Sequence, residues 1–288
     1  MLIASLAING LVLGSMLLLF SLGLTLIYGV GRIVNFAHGA LFSIGALGGA
    51  WLSTAGLPFW LCLIIAPLLV GLLGAIVDWA ILARIRDRPI VDSLLLTFGL
   101  ALFITGVLYE FGGRNIHVLQ TPPALDEAVS FLGATIPAYR LFVTVLALAL
   151  MALLLLTLRN SNWGLRVRAA NDDPEMAACL GINRETLMHS VVGIGAGLAA
   201  ISGVTAAPIF NAYATVGDKI MILAFMAIIL GGLGSLRGAV VATYVVGLLV
   251  VFGEGLFGGQ AALMVLFAVV MLMLIRWPRG FFGEGRTE

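Results

Sequence analysis

Residues 31–49 read GRIVNFAHGALFSIGALGG, and the fold turns on how they are read. Arg32, Asn35 and His38 fall within seven residues, among glycines, in a chain that otherwise reads as apolar helix. Glycine costs a helix about 1 kcal/mol relative to alanine, so Gly29, Gly31, Gly39, Gly45, Gly48 and Gly49 each need a reason. Gly45 and Gly49 form a G-x-x-x-G pair, which lets two membrane helices approach closely. Gly29 and Gly31, ahead of Asn35, are expected to break the helix at membrane depth. A broken helix turns backbone N–H groups and a positive dipole end toward a solute, above all a carboxylate. Asn35 and His38, three apart, share one helical face, and Ser43 extends it. Asn35, His38, Gly39 and Ser43 are therefore the candidate substrate pathway. The same residues would equally serve to bond neighbouring helices and hold a bundle together. A proton relay through His38 lacks an acidic chain, since Asp78, Glu110 and Glu254 lie near the ends of predicted spans.

Working outward, the chain has 288 residues, of which 61% are hydrophobic and 10% charged. Mean hydropathy is +1.15. Soluble domains carry about 25% charged residues. So much apolar surface exceeds what one globular core can hide, and it must face lipid. The net charge of +1 gives no nucleic-acid signal. The first residues, MLIASLAINGLVLGSM, lack a basic flank and a small-residue cleavage site, and read as a retained first span.

A spanning helix needs roughly 20 apolar residues. Candidates lie near 3–29, 33–53, 58–82, 91–111, 139–158, 187–208, 219–236, 238–256 and 260–275. In lipid the backbone must satisfy its own hydrogen bonds, so each is helical. The expectation is a single all-α domain over 1–288, a polytopic bundle of eight or nine transmembrane helices with Gly-broken segments. The stretches 33–53 and 219–256 read either as full spans or as broken, re-entrant pieces. The second glycine block, GGLGSLRG at 231–238 with Gly231, Gly232 and Gly234, mirrors the first. An inverted repeat pairing 24–53 with 224–256 is expected.

Orientation follows the basic residues. With the N-terminus outside, Arg32, Arg84, Arg86, Arg88, Arg159, Arg166, Arg168, Arg184, Arg237, Arg276, Arg279 and Arg286 are cytoplasmic. Only Arg114, Arg140 and Lys219 fall outside. The C-terminus is then cytoplasmic, if every candidate spans; if 33–53 is only re-entrant, the N-terminus moves inside with eight spans and only Arg32 changes sides. Cys62 and Cys179 fall on opposite sides, without metal-ligand spacing.

The longest cytoplasmic loop, about 159–186, carries helix grammar at its centre. Asp172 or Asp173 caps, Pro174 suits the first turn, Glu175 faces the positive helix end, and Gly181 stops the helix. It is either a solvated connector or a docking knob whose small surface residues admit a partner. The outer loop, about 112–138, is proline-rich, and its middle, VSFLGATIP, reads as a short interfacial helix. Asn9, Ser15, Ser21, Thr25, Thr97 and Thr105 read as helix glue. The three histidines are far apart, and no H-E-x-x-H or G-x-S-x-G occurs, which disfavours an intramembrane enzyme.

The run EMAACLG, Glu175 to Gly181, resembles the EAA-x3-G loop of ABC importer permeases, with Met176 in place of the first alanine. The later I-x-L-P part of that motif is absent, unlike the maltose-type permeases. The blocks LTLIYGVGRIVNFAHGALFSIGA (24–46), GLRVRAANDDPEMAACLGIN (164–183) and ILGGLGSLRGAVVAT (229–243) are similar to permeases of the branched-chain amino acid type. The order is the same and the resemblance spans nearly the whole chain, with NFAHG pointing to the H-type subunit. That resemblance implies a subunit of the bacterial inner membrane, paired with a homologous M-type permease. It further implies two cytosolic ATPase subunits docked on Glu175, Ala177, Ala178 and Gly181, and a periplasmic substrate-binding protein at the outer loop. The chain has no G-x-x-x-x-G-K-[ST], and its only lysine is Lys219, so ATP would bind the partners and no cofactor the permease itself.

Overall fold

In the computed structural model, residues 2–86, 88–112, 115–131, 134–278 and 280–282 are described. Arg114, Arg279 and Arg286, used above in the charge count, lie outside them. Eleven helices occur among the described residues: α1 Leu2–Gly31, α2 Ala37–Thr54, α3 Phe59–Ala80, α4 Ile90–Gly112, α5 Ala138–Asn160 and α6 Asn162–Asp172. They continue with α7 Pro174–Cys179, α8 Arg184–Phe210, α9 Val216–Gly231, α10 Leu236–Phe257 and α11 Gly259–Arg276. A 3-10 turn at Leu82–Ile85 follows α3. Among the described residues, seven helices (α1, α3, α4, α5, α8, α10 and α11) are long and apolar enough to cross a membrane. The chain is a multi-pass, all-α membrane bundle.

Burial sorts the helices. In α1, 94% of the apolar window is covered by protein and in α8 72%, against 11% in α4. So α1 and α8 form the core, while α4 shows Leu95, Phe98, Leu102 and Phe103 to the outside. On α3, Ile64, Leu68, Leu72 and Ile76 do the same. Exposed apolar stripes of this kind are stable only against lipid.

Small residues set the core spacing. A Cβ on Gly23 would lie 3.0 Å from the Cα of Gly195, so α1 and α8 touch backbone to backbone. The Ser202 hydroxyl on α8 donates to the Met16 carbonyl of α1 at 2.8 Å. Among the described residues, two non-glycine residues have left-handed backbones, Arg32 (φ 55) just after α1 and Asn211 (φ 63) just after α8. After each comes a short helix, α2 of 18 residues and α9 of 16.

These facts describe one inverted repeat. From Arg32 to Asn211 is a step of 179 residues, 211 minus 32. The same step carries Gly23 onto position 202 and Met16 onto position 195, so the Gly23–Gly195 contact becomes the Ser202–Met16 contact. The pair Gly14–Gly247, joining α1 to α10, likewise becomes Gly193–Gly71, joining α8 to α3. Between α3 and α10 the step is 176, 247 minus 71. Thus α1-α2-α3 matches α8-α9-α10, upside down. This corrects the expected pairing of 24–53 with 224–256. The glycine blocks look alike, but the first lies between a long core helix and a short one, the second between a short helix and a peripheral one.

The outer loop also differs from expectation. Its middle is a β-hairpin, not an interfacial helix: β1 (Ala128–Phe131) pairs antiparallel with β2 (Ala134–Pro137), with Val129 opposite Ile136. Val129, Thr135 and Ile136 favour extended backbone, and four-residue segments are too short for a helix to repay its nucleation. Ile136 is buried, and His117 and Ala212 exchange backbone hydrogen bonds of 2.9 and 2.8 Å, tying this loop to the end of α8.

Candidate translocation site

The first break is made by Arg32, not by glycines. Gly29 and Gly31 lie inside α1, which runs on through both. A Cβ at Gly29 would meet the Asn171 side chain at 2.9 Å, and one at Gly31 the Met188 methyl at 2.6 Å. These glycines admit neighbours from α6 and α8. After Arg32 the chain folds back without helix, and α2 starts beside the middle of α1. The His38 ring nitrogen Nε2 lies 3.1 Å from the Phe20 carbonyl. Phe20 is eleven residues before the end of α1, about 16 Å along its axis. The Thr97 hydroxyl of α4 reaches the Val34 carbonyl at 3.2 Å, fixing the returning segment.

Where α2 starts, it meets the start of α9. The Gly217 amide donates to the Ser43 hydroxyl at 2.9 Å. Gly39 faces Gly217, and a Cβ on either would press on the other's carbonyl. From there the helices diverge. α2 runs to the hairpin end, where Trp51 meets the His117 ring edge-on, 6.2 Å between centroids. α9 runs to the opposite end, where Gly232 (φ 101) and Gly234 (φ 85) turn the chain into α10 and Gly231 packs on Gly238. Neither Phe36 nor Thr215, the two N-caps, supplies a side-chain cap. The two helix starts, each the positive end of its dipole, therefore meet inside the bundle, with Ser43 of α2 holding the Gly217 amide of α9 and the Phe36 and Thr215 carbonyls accepting from the Gly39 and Asp218 amides.

Asn35, His38, Gly39 and Ser43 are all buried. Gly39 and Ser43 build the α2–α9 contact. Asn35 Oδ1 and His38 Nδ1 have no hydrogen-bond partner among the described residues, and neither do the hydroxyls of Ser21 and Thr25. Read from the sequence as helix glue, Ser21 and Thr25 bond nothing here. Asn9 and Ser15 do, Asn9 accepting from Arg140 and Ser15 Oγ lying 3.2 Å from the Tyr244 hydroxyl. Buried polar atoms without partners are rare and costly, so a group of them calls for an explanation. Gly45 and Gly49 lie against Ala200 and Val204 of α8.

The α6–α7 segment caps the opposite end. Asp173 Oδ1 accepts from the amides of Glu175 and Met176, at 3.1 and 3.0 Å. Gly181 has φ 83, the Gly181 amide bonds Ala178, and the Ile182 amide bonds Ala177, both at 3.0 Å. That pair of bonds around a left-handed glycine is a Schellman stop. Ala177 faces inward and is buried, which corrects its place on an exposed docking surface. The exposed surface is Glu175, Met176, Ala178, Cys179 and Leu180.

A third cluster had no sequence signal. Asp78, at the end of α3, is fully buried and takes Arg86 and, at 2.7 Å, His189 Nδ1. Asp78 and His189 stand 111 residues apart, so no spacing rule joins them.

The family described as the permease component of branched-chain amino acid transport systems matches residues 6–275. The chain belongs to that family. The permease is 28% identical over 300 residues to the high-affinity branched-chain amino acid transport system permease protein LivH of Salmonella typhimurium, covering 97% of this chain and 95% of the relative. It is 29% identical to the LivH protein of Escherichia coli strain K12, at 97% and 95% coverage. To the permease protein BraD of Pseudomonas aeruginosa it is 27% identical, at 98% and 96%. A fructose import permease protein, FrcC of Rhizobium meliloti, is 25% identical over 67% of this chain and 54% of its own length. No solved structure matches the chain.

Proposed function

We propose that this permease is one half of the membrane pathway of an ATP-driven importer for branched-chain or other small hydrophobic amino acids. The observation that carries the reading is the meeting of the α2 and α9 starts inside the bundle, in a protein that also buries partnerless polar atoms at Ser21, Thr25, Asn35 and His38. A zwitterionic amino acid crossing lipid needs somewhere to leave its water. The positive helix ends suit its carboxylate, and Asn35 Oδ1, Ser21 and Thr25 suit its ammonium. These contacts are weak and few, as passage requires. A homologous M-type permease supplies the facing half, and a periplasmic binding protein delivers substrate at the hairpin end. Two cytosolic ATPases dock at the α6–α7 end. The permease itself is no enzyme, since hydrolysis belongs to those partners. The distribution of arginine supports an orientation with the hairpin end and the N-terminus outside and the C-terminus in the cytoplasm, in an inner membrane.

The test is uptake by the reconstituted complex, with leucine, urea, a short amide and fructose as competing solutes. The fructose arm is included because a fructose permease is among the relatives. Asn35→Leu and His38→Leu are expected to cut leucine uptake about tenfold, the effect of losing one polar contact, while melting temperature stays within a few degrees. Normal uptake by stable variants removes both residues from the pathway.

Coupling is tested separately. Glu175→Lys reverses the charge at the positive end of α7, and Leu180→Glu puts a charge on its most exposed apolar residue, 74% exposed. Both are expected to abolish ATPase pull-down and uptake while the permease inserts and melts as before. These variants are cleaner than Gly181→Trp, because φ 83 strains any side chain at 181 even though nothing lies within 4 Å of its Cβ position. Retained pull-down with Leu180→Glu means the ATPase docks elsewhere.

A further inference from the structure

A cavity of about 770 Å³ opens at the α6–α7 end, outside the α2–α9 contact. Its lining brings together Arg32 after α1, Arg168 of α6 and Arg237 of α10, with Tyr28 and Ser235 between them. Among the described residues, one carboxylate, Asp172, shares the lining. Two of the three arginines sit against local rules. Arg32 occupies the left-handed region, which a long side chain without a local hydrogen bond disfavours. Arg237 is in the first turn of α10, where the helix dipole repels a cation. Neither Arg32 nor Arg237 has an ion pair among the described residues. Two independent local costs aimed at one cavity mark a functional site better than either alone.

The surroundings give the class of ligand. The Gly238 amide is already taken by the Ser235 hydroxyl at 3.1 Å, so the guanidinium groups carry the attraction. Three arginines lining one cavity favour an oxygen-rich dianion or diester over a single carboxylate, even with one Arg168 nitrogen, Nη1, given to the Arg159 carbonyl at 3.3 Å. The cavity also lies where the apolar surface begins, since its wall includes Ile229 and Leu233, and Leu233 is 46% exposed. Basic pockets between membrane helices at such a level accept phosphate headgroups. We propose that this cavity binds a phosphate group through Arg32, Arg168 and Arg237, drawn from an anionic phospholipid or from solution. Occupancy ties the end of α1, the α9–α10 turn and α6 to one another.

The experiment uses the full-length permease in a neutral detergent, with thermal unfolding and native mass spectrometry as readouts. Phosphatidylglycerol micelles, phosphatidylcholine micelles and inorganic phosphate are the three arms. Phosphatidylglycerol is expected to raise the melting temperature and to survive as a mass adduct, and phosphatidylcholine to do neither. Arg32→Asn, which tolerates the left-handed backbone, and Arg237→Gln are each expected to weaken that binding about tenfold. Without added anion both variants should melt at or above the parent, because each relieves a local conflict. An equal shift by inorganic phosphate, lost in the same variants, supports the site and identifies the soluble source. The proposal is overturned if neither phosphatidylglycerol nor inorganic phosphate shifts the melt, if phosphatidylcholine shifts it as much as phosphatidylglycerol, or if the shift survives in both variants. It is also overturned if both variants melt lower without anion, since the arginines would then be structural.

Discussion

Asp78→Leu is expected to cost the permease about 3–5 kcal/mol, the typical penalty for stranding the partner of a buried ion pair. Arg86 keeps only 5% of its side chain exposed, and two of its nitrogens already lack partners among the described residues. Removing the carboxylate leaves that cation sealed in protein. The double variant Asp78→Leu/Arg86→Met should recover most of the loss, because the isolated charge goes with its partner. His189→Gln should cost far less, since the His189 side chain is 26% exposed and can turn to water. Yield and thermal unfolding in detergent measure all three. A single Asp78→Leu variant as stable as the parent would show that the cluster is incidental.

Gly217→Ala is expected to have the second large effect. Its new methyl would lie 2.7 Å from the Gly39 carbonyl carbon and 2.9 Å from Ser43 Oγ. Backbone cannot swing aside as a side chain does, so α2 and α9 must separate. Overpacking of this kind costs about 1–3 kcal/mol. The same step breaks the Ser43 hydrogen bond to the start of α9. Uptake should therefore fall further than yield does. Gly99→Ala on α4 is the control, since nothing lies within 4 Å of its Cβ position. There the better helix former is expected to leave stability equal or slightly higher. Equal uptake by the two variants would mean that the α2–α9 contact is not on the transport cycle.

Hydropathy and length made the bundle legible, because the period and extent of apolar runs are local properties. The capped α7 was legible for the same reason: Asp173, Pro174 and Gly181 carry their roles within nine residues. The glycine-rich opening stretch announced a break but misplaced its cause. Arg32 is a residue that composition gives no reason to expect at positive φ, and the Thr97 hydroxyl that reaches the returning chain at Val34 comes from 63 residues further on. Gly39 and Ser43 were legible as special, but their partner Gly217 is 174 residues beyond Ser43. Ser21 and Thr25 look on paper like any hydroxyls that bond back along a helix. Only packing reveals that they do not. The repeat was hidden because the matched positions share geometry and not identity, as Arg32 and Asn211 do.

The inverted repeat also makes each end of the bundle the mechanical counterpart of the other, and the two are gripped unequally. The step of 176 residues from α3 to α10 carries Asp78 onto Glu254. Asp78 is sealed and latched to two partners. Glu254 is 39% exposed and faces Lys219, itself 60% exposed, across 3.7 Å. An exposed pair of that kind is worth about 0–1 kcal/mol and weakens with salt. A lever held firmly at one end and loosely at the other tips first at the loose end. The hairpin end therefore yields with little work, while the α6–α7 end needs its latch forced. That end also carries α7, whose exposed face is Glu175, Met176, Ala178, Cys179 and Leu180.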